Sequence, residues 1–147
     1  MDNKLRITCE ILAIAGLIDS AYLTWIKLTG QYAICGPVGD CESVNSSPYA
    51  EIAGIPIALL GAGAYFLIIV LLVLEPRAEI WAEYGPLVVF GVSLVGVLYS
   101  AYLTYLEIAV IRAFCPYCVV SAIVLLLLLI ISSVRLMGER AEISAVS

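Results

Sequence analysis

The segment Phe114–Val134, FCPYCVVSAIVLLLLLIISSV, decides the fold. Its opening residues hold Cys115 and Cys118 in a C-x-x-C pair, the spacing of the redox dithiol in thioredoxin-like proteins. That soluble fold needs a strand before the motif and a βαβ pattern around it. Here the motif runs straight into an unbroken apolar stretch. Crossing a bilayer takes about 20 mostly apolar residues, and this stretch supplies them. The dithiol therefore stands at the start of a membrane helix, and the chain reads as all-α and membrane-integral.

Composition agrees. Of 147 residues, 63% are hydrophobic and 13% charged, with a mean hydropathy of +1.10. These values lie outside the soluble globular range. The length leaves room for four or five crossings and no soluble catalytic domain beside them. The net charge of −5 comes without a basic patch, which argues against nucleic acid as a partner. There are five cysteines and no histidine. Proton transfer then falls to carboxylate, tyrosine, serine, thiol or water, and the commonest metal ligand is missing.

Working outward, four apolar runs predict a four-helix transmembrane bundle within a single domain, 1–147. They cover approximately 7–28, 55–74, 84–108 and 115–136, with a long outer loop at 29–54. Lys4, Arg6, Arg77, Arg135 and Arg140 fall on one side of the bundle; Lys27 and Arg112 fall near the other. The excess of Lys and Arg marks the cytoplasmic side. Both termini are expected there, in a multi-pass protein of the cell membrane. The loop and the FCPYC turn then share the outer, oxidising side, where disulfides persist. Lys4, Arg6 and the apolar residues after them mimic a cleaved signal peptide, but the apolar pattern continues to Leu28, which suits a retained helix.

The chain also repeats itself. GLIDSAYLTW (Gly16–Trp25) matches GVLYSAYLTY (Gly96–Tyr105) at an offset of 80 residues, which also places Cys35 on Cys115 and Lys27 on Glu107. Gly16, Ser20 and Thr24, like Gly96, Ser100 and Thr104, have the four-residue spacing of close helix packing. Tyr22, Trp25, Tyr102 and Tyr105 fit an aromatic belt. Glu107 is expected to pair with Lys27. Asp19 lies mid-helix, where charge is costly and often functional.

Four cysteines form two pairs, Cys35/Cys41 and Cys115/Cys118; Cys9 reads as a passive buried thiol. Pro116 is tolerated in a first helical turn, and residues three apart share a helix face. A helix N-terminus favours the reactive thiolate. Cys35 and Cys41 sit in CGPVGDC, whose Gly36, Pro37 and Gly39 suit a mobile turn. A mobile dithiol beside a fixed one is the arrangement for disulfide exchange, which needs direct sulfur contact. Two structural disulfides, or a four-cysteine metal site, are the alternatives; the C-x5-C spacing and the oxidising side speak against metal. A dithiol delivers two electrons, and a lipid-soluble quinone is the natural acceptor inside a bilayer. Cys118, about one turn deeper than Cys115, is the sulfur expected to face it.

The order of CGPVGDCESVNSS (Cys35–Ser47), GIPIALLG (Gly54–Gly61) and CPYC (Cys115–Cys118) resembles the vitamin K epoxide reductase family in its prokaryotic form. The resemblance covers nearly the whole chain. It implies a four-helix bundle around a quinone (menaquinone, ubiquinone or a relative) without a metal. In that scheme the catalytic residues are Cys35, Cys41, Cys115 and Cys118. The loop pair passes electrons to Cys115, by the resemblance through Cys41, and Cys118 meets the quinone. Ser47 matches a family serine that positions the quinone; the competing reading is a local turn contact. Several family members carry a fused thioredoxin-like domain. Its lack here implies a separate thioredoxin-fold, DsbA-like oxidase as partner. A tyrosine of the vertebrate enzymes is replaced by Ala122, which favours quinone over epoxide reduction. The DsbB-type disulfide oxidases do the same net chemistry with the two cysteine pairs in reverse order. A non-enzymatic membrane protein braced by two disulfides is the alternative of a different class.

Overall fold

A computed structural model describes residues 2–31, 43, 44 and 46–146. Four long helices dominate: α1 (Asp2–Thr29), α2 (Ile57–Leu74), α3 (Glu79–Leu106) and α4 (Pro116–Val146). All four are long and apolar enough to cross a membrane. In ring order, α1 packs on α2 and α4, and α3 packs on α4 and α2.

The helices outrun the apolar segments that announce them. α3 begins at Glu79 rather than near residue 84, after an extended Ala78. α4 continues to Val146 through MGERAEISAV, which holds no helix breaker beyond one glycine. Apolar runs mark where lipid begins and ends, whereas a helix stops only where backbone geometry stops it.

The faces explain why lipid is the solvent. Ile11, Ile18, Leu98, Ile123 and Ile130 all point outward and are exposed. An aqueous surface would not tolerate such a continuous apolar coat. Inward, Cys9, Ala13, Tyr65, Ile68, Leu72, Val89, Leu125 and Leu128 build the core. Cys9 is fully buried within it. Small residues set the spacing: a Cβ on Gly16 would collide with the Tyr65 ring, and one on Gly96 would come within 2.8 Å of Leu125. Without a hydrophobic drive between helices in lipid, such close packing carries their association.

Between α1 and α2 lies a feature not expected from the sequence. β1 (Glu51–Ile52) pairs antiparallel with β2 (Ile55–Pro56). Ala53 and Gly54 make the turn with φ of 53° and 81°, both positive as a two-residue hairpin turn demands. GIPIALLG therefore supplies a hairpin turn, a strand and the start of α2, and Gly61 lets the Ser20 hydroxyl approach to within 3.2 Å of where a Cβ would stand. Lys27, near the end of α1, pairs with Glu51 at 3.3 Å and pins the hairpin to the bundle.

At the other end, Arg135 of α4 is buried and grips Glu75, just past α2, at 2.6 Å and 3.3 Å. Arg135 lies at the expected end, but as a buried charge neutralised by Glu75. Lys4, Arg6, Arg77 and Arg140 remain at that end, against Lys27 and Arg112 at the other.

Candidate active site

The end of α3 builds the first part of the site. Past Leu106 the helix widens into a π-helical turn, Glu107–Ile111. Arg112 then takes the left-handed conformation (φ 55°, ψ 35°), and its N–H bonds the Glu107 carbonyl. The Ala113 N–H reaches the same carbonyl at 3.1 Å. This termination resembles those that glycine usually provides. It stops α3 and returns the chain to α4 within three residues.

Cys115 is the residue on which α4 starts. Its carbonyl accepts the first helical bond, from the Val119 N–H at 3.2 Å. Pro116 follows as the first helical residue, where no N–H is required. The Cys115 sulfur accepts hydrogen bonds from the Cys118 thiol and from the backbone N–H groups of Cys118 and Tyr117. This is the geometry of an N-capping side chain, with sulfur in place of oxygen. The Cys118 thiol first, and the backbone amides after it, hold the Cys115 thiol below its ordinary pKa, against burial and the charge of Glu107. No disulfide joins Cys115 to Cys118.

Cys115 is only 1% exposed. Val44, from the loop, packs over it together with Ile111 and Ala113. Cys118 is half-buried. Glu107, 4% exposed, accepts from the Cys115 backbone N–H and competes with the Cys115 sulfur for the one S–H of Cys118. The expected pairing of Glu107 with Lys27 is therefore corrected: the carboxylate turns inward to the thiols, while Lys27 meets Glu51 at 3.3 Å. The π-helical turn is what aims Glu107 at the dithiol, and nothing in an apolar run announces such a turn.

Both thiols line a cavity of about 540 Å³ between the helices. That volume suits a small organic ligand, for which sites of about 300–1,000 Å³ are usual. Every helix contributes: Asp19 and Ser20 from α1, Tyr65 from α2, Tyr99 from α3 and Cys118 from α4. The wall is mainly aliphatic and aromatic with a few polar groups, the make-up of cofactor and ligand pockets. One oxygen of Asp19, Oδ2, is buried without a hydrogen-bond partner among the described residues. Tyr65 is anchored to α4 through its hydroxyl, 2.8 Å from Ser121 Oγ and 3.2 Å from Ser121 O.

Ser47 also borders the cavity, yet its hydroxyl donates to the Val44 carbonyl at 2.8 Å. The hydroxyl proton is thus committed to the local turn, at the rim of the cavity. The repeated S-A-Y-L-T segments are likewise both packing and wall. Thr24 and Thr104 each bond back to Ser20 and Ser100 carbonyls at 2.8 Å, while Ser20, Gly96, Ser100 and Thr104 face the cavity. Trp25, Tyr102 and Tyr105 are exposed as belt residues. Tyr22 is half-buried, its ring in a tilted contact with that of Tyr117 at 5.2 Å between centroids. Cys35 and Cys41 lie outside the described residues.

Glu107, Asp19 and Tyr65 join the thiols here without a motif of their own. The repeat was the one available signal for Glu107, and it pointed to the wrong partner.

Comparison with known proteins fits this geometry. The family model described as the vitamin K epoxide reductase family matches residues 7–133. The thiol-disulfide oxidoreductase LTO1 of Arabidopsis thaliana is 33% identical over 113 residues, covering 72% of this chain and 30% of that protein. The chain thus spans under a third of that relative's length. With the match running through all four helices and both ends of the thiol-bearing turn, this chain belongs to the vitamin K epoxide reductase family.

Proposed function

We propose that this chain is a membrane thiol oxidase that reduces a quinone and so generates disulfides for a secreted thioredoxin-fold partner. The observation that carries the reading is the dithiol Cys115/Cys118 set into the wall of an apolar cavity about 540 Å³ in volume. A quinone bound there, menaquinone, ubiquinone or a relative, takes up two electrons and two protons as the dithiol closes to a disulfide.

The chain's own residues divide the remaining work. Cys35 and Cys41 accept electrons from the partner's dithiol and pass them to Cys115 by exchange. Cys115 suits that role because it is the sulfur held toward thiolate, the reactive form. Its burial under Val44 keeps a bulky partner protein away. A loop thiol is better placed by connectivity: Cys41 is three residues from Val44, and three residues reach at most about 11 Å. Cys118 presents the second sulfur to the cavity. Ser47 shapes the rim, Tyr65 and Tyr99 supply aromatic walls, and Asp19 offers an unbonded carboxylate oxygen for orienting a polar head group.

The motif pattern suits the prokaryotic form of the family, residues 1–147 are read as one transmembrane unit, and the electron donor is a thioredoxin-fold, DsbA-like oxidase. With Ala122 near the cavity end of α4, simple quinone reduction is favoured over epoxide reduction. The thiol end faces the outside of the cell membrane, where disulfides survive.

The test is quinone reduction by purified protein supplied with a reduced thiol donor. Cys118→Ser is expected to lower turnover at least ~100-fold while helical content and thermal midpoint are retained. Normal turnover in that variant overturns the assignment, and absence of quinone reduction in the unmodified protein favours a protein merely braced by disulfides.

A further inference from the structure

We propose that Glu107 is the catalytic base of the Cys115/Cys118 dithiol and the proton shuttle between Cys118 and the cavity. This rests on the quinone-reducing function proposed above and adds the proton path to it.

Three observations converge. Glu107 is a buried carboxylate in direct hydrogen-bonding contact with the thiol whose proton has to leave. It also lines the cavity that receives the electrons. Among the described residues lining that cavity there is no lysine or arginine. A membrane-embedded carboxylate without a cationic partner on its cavity face is costly and calls for a function.

The step balances as follows. The Cys118 S–H proton moves to a Glu107 carboxylate oxygen, leaving a thiolate on Cys118. The sulfurs of Cys115 and Cys118 form one S–S bond, and two electrons pass to the quinone. Glu107 gives its proton to one oxygen of the reduced quinone, which restores the carboxylate. The proton for the other oxygen comes from solvent and balances the one Cys115 released to solvent on becoming a thiolate.

A purely architectural role competes with this. Glu107 also accepts the Cys115 backbone N–H and so holds the turn before α4. Glu107→Gln separates the two roles, because the amide oxygen still accepts from that N–H while the base is lost. Among the described residues, the other titratable groups around the site are the thiols themselves, Asp19 on α1, Tyr65 on α2, Tyr99 on α3, Tyr49 ahead of β1, and Tyr117 of α4 with its ring partner Tyr22 of α1. The Lys27–Glu51 pair closes the same end.

Two readouts test the proposal. In ligand-free protein, the pH profile of Cys118 alkylation is followed by site-resolved mass spectrometry. In the complete reaction, kcat and KM for quinone reduction are measured. Glu107→Gln is expected to lower kcat about 100-fold or more with KM little changed, and to remove a limb from the alkylation profile. Glu107→Asp is expected to recover part of both. A Glu107→Gln protein with near-normal kcat and an unaltered profile overturns the shuttle. If the unmodified protein does not reduce quinone, the functional reading falls, and the alkylation profile still judges Glu107 alone. Should Glu107→Gln fail to fold by circular dichroism, Glu107→Asp decides: a displaced alkylation profile supports the role, and an unchanged one sinks it.

Discussion

Cys115 and Cys118 are three residues apart and chemically unlike. Cys115 caps a helix, and its sulfur collects the Cys118 S–H and two backbone N–H groups. These stabilise negative charge on sulfur, so the thiolate persists at pH values below the ordinary thiol range. The sign is testable. Removing the leading donor in Cys118→Ala should raise the pH at which Cys115 becomes reactive, and at pH 7 Cys115 should be alkylated several-fold more slowly. Site-resolved alkylation across pH measures this. A profile for Cys115 that does not move would assign its acidity to the backbone amides alone. The nearby Arg112, held at φ 55° without being glycine, shows how much local conformation is invested in bringing this turn back over the cavity.

Helix pairing has its own fixed point. Glu75 and Arg135 form a bidentate pair with side chains 6% and 3% exposed, joining the end of α2 to α4. Gly85 of α3 makes room for it: a Cβ there would come within 2.9 Å of the Glu75 side chain. A buried pair adds little over well-packed apolar residues, but losing one partner strands the other charge, at a cost of about 3–5 kcal/mol. Arg135→Met should therefore lower the thermal midpoint in detergent strongly, and the double variant Glu75→Leu/Arg135→Met should regain most of the loss. Equal midpoints for the single variant and the unmodified protein would show the pair to be dispensable. The pair lies at the end of the bundle away from the dithiol, so quinone turnover per folded molecule should change little.

At the scale of the whole molecule the two ends differ in charge and in chemistry. One carries Lys4, Arg6, Arg77 and Arg140; the other carries the dithiol, the hairpin and Val44. In the proposed orientation, drawn from the bias of Lys and Arg, the first end faces the cytoplasm. In a background without native cysteines, Gln31→Cys should then react with a membrane-impermeant maleimide in intact cells. Ala78→Cys should react only after the membrane is opened. Both positions are exposed, so accessibility to the reagent depends on side alone. The reverse pattern would put the thiol end inside and remove the oxidising setting on which the proposed function depends.

Sequence by itself determined that this chain is a bundle of four long apolar helices with a loop between the first two, because crossing lipid demands a run of apolar residues that no soluble element needs. It also placed a dithiol at a helix start, since C-P-Y-C stands directly before such a run. Only the tertiary structure decided which faces turn inward. In lipid both faces of a helix are apolar, and periodicity, which separates core from water in soluble proteins, loses its contrast. For that reason the cavity, the unbonded Asp19 oxygen, the Tyr65–Ser121 anchor and the Glu75–Arg135 pair were not legible beforehand. The same holds for Glu107: its direction is set by a π-helical turn and a left-handed Arg112, which are properties of the backbone path and not of any residue pattern.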